Sequence, residues 1–182
     1  LVYTEIAFRT GGLHQTKETA GLFHLFEHML FNGNDLYPDS VAVNDALQNF
    51  GLTSYNGTTS SNRVNFFFEI PSKDLENGLK FWNAAITSSK FDKNNLENEK
   101  KVVISEIQGN EVNPQRILYA ANSKQMFPDA PWKMDTSGSV KVISDTTVKQ
   151  LKQIKNQFYI PNNSALFVGG DVNPEEVFKL VN

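Results

Sequence analysis

Three ionisable residues sit close together in the stretch Gly21-Leu22-Phe23-His24-Leu25-Phe26-Glu27-His28-Met29-Leu30-Phe31-Asn32-Gly33. His24 and His28 are at i and i+4, so on a helix both imidazoles leave one face, a turn apart. Two imidazoles so placed can grip one metal ion, and Glu27 sets a carboxylate at the edge of the same site. The apolar residues around them, Leu22, Phe23, Leu25, Phe26, Met29, Leu30 and Phe31, leave little polar face and predict a buried helix. Burying an unpartnered polar group costs about 2–7 kcal/mol, and a lone charge costs more. A shared metal ion would compensate all three side chains. The blander alternative is a buried His pair hydrogen-bonded to the Glu between them.

The order H-x-x-E-H is the one that defines the inverzincin zinc peptidases. The better-known zincin order is H-E-x-x-H. Both place two His ligands on a helix with a Glu nearby as general base.

A second stretch offers what the first lacks. Asp92 to Glu111 reads as a helix with Asp92 as N-cap and Leu96, Val103 and Ile107 as its apolar stripe. Glu99 and Glu106, two turns apart, share a neighbouring line. Val102, Val103, Ile104 and Ile107 flank Glu106, which places its carboxylate among core residues, where it needs a cation. Glu97, Lys100 and Lys101 read as solvated. The histidine helix is short of an anionic ligand, and Glu106 can provide one.

The elements around these helices follow from pattern. Leu1 to Arg9, Arg63 to Ile70 and Ser164 to Gly170 read as strands, the last of them buried. Thr19 is expected to N-cap the histidine helix and Gly33 to C-cap it. Helices are expected from Asp39 or Ser40 to Phe50, from Ser72 to Ser89, from Pro114 to about Phe127 and from Ser144 to Tyr159. A last one begins after Asn173. Leu52 to Ser61 admits two readings. Asn56-Gly57 suits a tight hairpin turn, while Thr53, Tyr55, Thr58 and Thr59 suit an irregular edge strand. His14 reads as a solvated loop residue. Strands interleaved with long helices argue for a two-layer α/β domain.

Composition narrows the class. The chain has 182 residues and a net charge of -3, enough length for one domain with an adequate core. The mild acidity gives no reason to expect nucleic acid. With no cysteine, a disulfide framework or thiolate metal site is excluded. No apolar run reaches membrane-spanning length and no signal peptide is visible. The compartment stays open. The chain opens on Leu1 inside strand-like sequence and closes in a helix barely begun, so both ends read as cut from a longer protein.

Four segments, in order, resemble the pitrilysin, insulin-degrading enzyme and mitochondrial processing peptidase family. They are GLFHLFEHMLFNG at Gly21 to Gly33, Asn56-Gly57-Thr58-Thr59-Ser60, the Glu-rich run from Glu97 to Ile107, and Phe158 to Asn163 followed by Gly170-Asp171-Val172. The resemblance implies one half of a clamshell-type peptidase, an α+β fold with a mostly antiparallel sheet packed against helices. It implies Zn²⁺ held by His24, His28 and Glu106, with Glu27 as base and Glu99 as a second acid behind the ligands. It implies that the segment around Asn56, Gly57 and Thr58 is an edge strand that pairs with a peptide substrate. Gly57 stands where the family usually has Ala. The family's second homologous half is absent, so the chain is expected to need that half or a partner subunit.

The activity so implied is zinc-dependent endopeptidase action on peptides or small unfolded polypeptides. The alternatives are a non-catalytic scaffold or substrate-binding subunit beside an active homologue, a structural metal domain, and a hydrolase of another bond. A closed structural site would need a fourth protein ligand, and His14 is the spare histidine.

Overall fold

The computed structural model describes residues 1–52 and 54–181. Thr53, considered for the edge strand, and Asn182 lie outside them. The described residues form one four-stranded sheet in the order β2-β3-β1-β4, from β1 (Val2–Phe8), β2 (Ser54–Thr59), β3 (Val64–Ile70) and β4 (Ser164–Gly170). All three pairings are antiparallel. The helices are α1 (Leu22–Leu30), α2 (Ser40–Asn49), α3 (Leu75–Thr87), α4 (Lys93–Glu111), α5 (Pro114–Met126), α6 (Val140–Asp145), α7 (Val148–Phe158) and α8 (Pro174–Val181). This is the expected antiparallel sheet packed against helices.

Alternation along the strands explains the layering. Val2, Thr4 and Phe8 of β1 and Val64, Phe66, Phe68 and Ile70 of β3 are buried. Phe8 and the four β3 residues meet Phe23, Phe26, Met29 and Leu30 of α1 and Phe81, Trp82, Ala85 and Ile86 of α3, while Val2 packs on Leu75 and Leu79. Trp82 stacks on Phe68 with ring centroids 4.5 Å apart. Its indole N–H donates to the Thr4 hydroxyl at 3.0 Å, satisfying the one polar group that the ring buries.

Several boundaries differ from expectation, each for a local reason. Thr19 does not cap α1. Its hydroxyl accepts from the Thr16 N–H instead, and Gly21 at φ 92 is the N-cap. Gly33 is not the C-cap either. The helix closes at Phe31, and Gly33 turns the chain two residues later at φ 132. The helix expected from Ser144 begins at Val148, because Thr147 and Gln150 form a reciprocal capping box. The separate α6 precedes it. Asn56-Gly57 is strand, and the tight turn falls at Ser61-Asn62, closed by the Ser60 N–H on the Arg63 carbonyl at 2.9 Å. β4 is an edge strand rather than a buried one. Its alternate residues Ala165 and Phe167 are exposed. Among the described residues of α5 only Ser123 is buried, so this helix stands out from the body.

The start of α1 is pinned by two glycines. A Cβ on Gly21 would sit 2.7 Å from the Ser137 carbonyl oxygen and 2.8 Å from Gly138 Cα. Gly21 also donates its N–H to the Gln15 side chain. Substituting Gly21 with Ala is expected to cost about 2 kcal/mol or more, from left-handed backbone strain plus the clash with Gly138. Urea unfolding should show the loss as a lower midpoint with an unchanged slope.

Candidate metal centre

Helix α1 buries six residues, Leu22, Phe23, Leu25, Phe26, Met29 and Leu30. The partly buried stripe that remains is His24, Glu27 and His28. The helix is therefore not buried all round. Its polar stripe is the face turned toward α4 and β2, the elements it packs against.

The stripe meets Glu106 of α4. His24 Nε2 lies 3.4 Å and His28 Nε2 3.6 Å from the same oxygen, Glu106 Oε2. The two Nε2 atoms are 3.3 Å apart, with the rings nearly perpendicular at 81°. Donor atoms about 2.0–2.1 Å from a tetrahedral zinc lie roughly 3.3–3.4 Å from one another. The triangle is of that size. Among the described residues, these three form the group of His and acidic side chains close enough to share one ion.

Glu106 reaches the site from a different environment than expected. Val103 and Ile107 are buried, but Val102 is exposed and the Glu106 side chain is itself 45% exposed. Its carboxylate stands at the rim of the core and leans over the two imidazoles.

Glu99 lies behind them. His28 Nδ1 donates to Glu99 Oε2 at 3.2 Å, and Asn32 Nδ2 donates to Glu99 Oε1 at 3.3 Å and to the His28 carbonyl at 3.0 Å. With its proton on Nδ1, His28 turns the Nε2 lone pair toward His24 and Glu106. Such outer hydrogen bonds fix tautomer and ring orientation in metal sites. His24 Nδ1 is buried without a hydrogen bond of ordinary geometry among the described residues, the Ser137 backbone being its polar neighbour.

Glu27 points the other way along the stripe. Its Oε2 accepts from the Thr59 hydroxyl of β2 at 2.6 Å. Burial raises the Glu27 pKa, the Thr59 hydrogen bond opposes the rise, and the Glu106 charge adds to it. Burial and the charge of His28 lower the pKa of His24. For His28 burial opposes charging, but the hydrogen bond to Glu99 and the charges of Glu106, Glu99 and Glu27 outweigh it and raise the pKa. The bond from His28 lowers that of Glu99, against some desolvation. The buried Tyr159 phenol, held well above its usual range by burial, also feels the charge of Glu27.

Asn56, Gly57 and Thr58 lie on β2, at one end of the sheet order. The Ser60–Arg63 bond sets the phase of the ladder, so the backbone groups of Asn56 and Thr58 turn toward β3. Those of Tyr55, Gly57 and Thr59 turn toward the open edge. The Gly57 N–H meets the Asn56 side-chain oxygen at 2.9 Å, as that phase requires. The Thr58 hydroxyl bonds Asn65 at 2.6 Å. His14 is exposed and stands apart, its ring 5.2 Å from that of Phe158.

Sequence reasoning passed over two contributors. Asn32 follows His28 by one helical turn, and Thr59 follows Gly57 by one strand period. Both spacings were available signals.

The model of the family described as Insulinase (Peptidase family M16) matches residues 2–139. A protein named "Uncharacterized zinc protease YmfH" from Bacillus subtilis is 30% identical over 163 residues, 88% of this chain and 36% of that protein. The crystal structure of a protease from Helicobacter pylori aligns at TM-score 0.92 and 22% identity, over 99% of this chain and 43% of that one. That of the first half of the periplasmic protease PqqL from Escherichia coli aligns at TM-score 0.91 and 22% identity, over 99% and 40%. The chain thus spans well under half the length of the curated relatives it matches. No helix among the described residues is long and apolar enough to cross a membrane.

The opposed shifts of His28 and Glu99 give a pH-dependent expectation for metal-free protein. The raised His28 pKa stabilises the fold below about 6.5 and loses that effect as pH rises through the shifted value. The lowered Glu99 pKa stabilises above about 4.5 and loses its effect at lower pH. Between those limits both act. Calorimetry of metal-free Glu99→Gln should therefore show its largest loss near pH 5–6. About 1 kcal/mol, discounted for partial exposure, corresponds to roughly 2–4 °C at this size. The loss should shrink toward pH 8.

Proposed function

The chain belongs to peptidase family M16, the insulinase family, and on that premise we propose that it is the metal-binding part of a zinc endopeptidase acting on peptides or small unfolded polypeptides. The observation that carries the reading is the triangle of His24 Nε2, His28 Nε2 and Glu106 Oε2, with sides of 3.3, 3.4 and 3.6 Å. Relatives named zinc proteases agree with it.

These three side chains would hold the ion, and their chemistry fits it. Two neutral imidazoles and one carboxylate suit zinc and leave a coordination position for a non-protein ligand. Bound zinc would act as a Lewis acid and bring the pKa of a water down to about 7. The chain's own residues do the rest. Glu27, with its pKa raised, accepts a proton from the attacking water and returns it to the leaving amine. Its Oε2 is engaged by Thr59, so Oε1 is the oxygen free for that transfer. Glu99 and Asn32 hold the His28 ring in its ligating orientation.

The open edge of β2, with Gly57 at its centre, would take an extended substrate as an added strand. Backbone pairing of this kind accepts many sequences. Residues 1–182 would then be one N-terminal, metal-binding domain, completed by a second homologous half in the same protein or a partner chain. A scaffold subunit would have no use for an intact set of three ligands and a base.

Zinc analysis of the purified protein should give about one ion per chain in the wild type. Glu106→Gln, His24→Ala or His28→Ala should each lose stoichiometric zinc, and wild-type affinity in Glu106→Gln would remove it as a ligand. In the full-length protein Glu27→Gln should keep its zinc and lose peptide cleavage by at least about 100-fold. Cleavage surviving that change would mean that the base is another residue.

A further inference from the structure

We propose that β2 positions the base: the Thr59 hydroxyl orients the Glu27 carboxylate, and the bare Cα of Gly57 leaves the room in which its arm lies. The inference rests on the reading of Glu27 as the base and goes beyond it, by assigning to the strand expected to bind substrate a second, mechanical task.

Two independent contacts meet at one side chain. Thr59 Oγ1 donates to Glu27 Oε2 at 2.6 Å, the one hydrogen bond that the carboxylate receives among the described residues. A donor on one oxygen fixes the carboxylate's rotation and its distance from β2, leaving the lone pairs of Oε1 free. Two residues earlier on the same face, Gly57 passes beneath the arm of Glu27. A Cβ there would sit 2.7 Å from Glu27 Cγ, 3.2 Å from Cδ and 3.0 Å from Phe66 Cδ1. Phe66 is fully buried. A side chain at position 57 of this chain would therefore meet the arm of Glu27 first, and Glu27 would have to shift to admit it.

The backbone of Gly57 faces the open edge, while the space a Cβ would fill on it is taken by the arm of Glu27. A peptide paired on that edge would lie one residue's width from the base, and a shift of β2 would carry the carboxylate with it. Misplacing a catalytic group by about 1 Å can cost on the order of 100-fold in rate. Thr59 and Gly57 are thus positioning residues, acting through Glu27 rather than on the reacting atoms.

The test uses the zinc-loaded full-length protein, a quenched fluorescent peptide library, and crystal structures of wild type, Thr59→Val and Thr59→Ser. Thr59→Val is isosteric and should lower kcat about 10- to 100-fold, with KM within about twofold and zinc content unchanged. Thr59→Ser, which keeps the hydroxyl, should recover most of the loss. In the Thr59→Val crystal the carboxylate should leave β2, and in Thr59→Ser it should stay. Wild-type kcat in Thr59→Val, or a valine variant whose carboxylate has not moved, overturns the proposal. If wild type cleaves nothing, the peptidase reading fails, and the crystal comparison alone decides whether Thr59 positions Glu27.

Discussion

A helix that buries most of its surface can carry ionisable side chains only where a neighbour compensates them, and α1 is built on that constraint. Six of its nine residues are in the core. The polar stripe left over is too well covered for His24 and His28 to be simply solvated, their side chains being 17% and 19% exposed. Glu106 and Glu99 of α4 provide the opposite charge, one from the front and one from behind. Without α4 at that distance, the stripe would hold two desolvated imidazoles with nothing to balance them. The pinned glycine crossing at Gly21 and Gly138 and the Phe26–Tyr159 stack hold α1 where the balance is met.

The triangle of His24, His28 and Glu106 belongs to the α1–α4 seam, whereas the Glu27 carboxylate, the proposed base, belongs to the seam between α1 and β2. Because Glu27 and His28 are consecutive, one helix feeds both seams, and the two side chains are kept apart by direction alone. The same arrangement explains the opposed electrostatics. Glu27 is raised by burial, while Glu99 is lowered by a hydrogen bond from the neighbouring imidazole.

Much of this was legible from local pattern. The i, i+4 spacing of His24 and His28, the two-turn spacing of Glu99 and Glu106, and the alternation in Arg63 to Ile70 depend only on helix and strand periods. Caps were legible where a polar side chain makes the cap, as at Asp92 and Asp39. They were misread where a glycine crossing decides the boundary. Gly21 caps α1 because a distant loop needs room, and nothing near Thr19 announces that. The hairpin turn was misplaced for a similar reason. Asn56-Gly57 has a turn-forming composition, but the register of Val64–Ile70 against β2 puts the turn at Ser61-Asn62.

The sequence by itself determined which side chains could do chemistry, because residue type and helical spacing are local properties. It also determined that a second helix with an acidic line was available to meet the first. Only the tertiary structure decided that Glu106 leans in from an exposed rim rather than from the core, and that Glu99 binds the back of His28. It alone placed Thr59 and Gly57 against Glu27. Those facts depend on distances between segments far apart in the chain. Such distances are set by how α1, α4 and β2 pack together, and no local period encodes them.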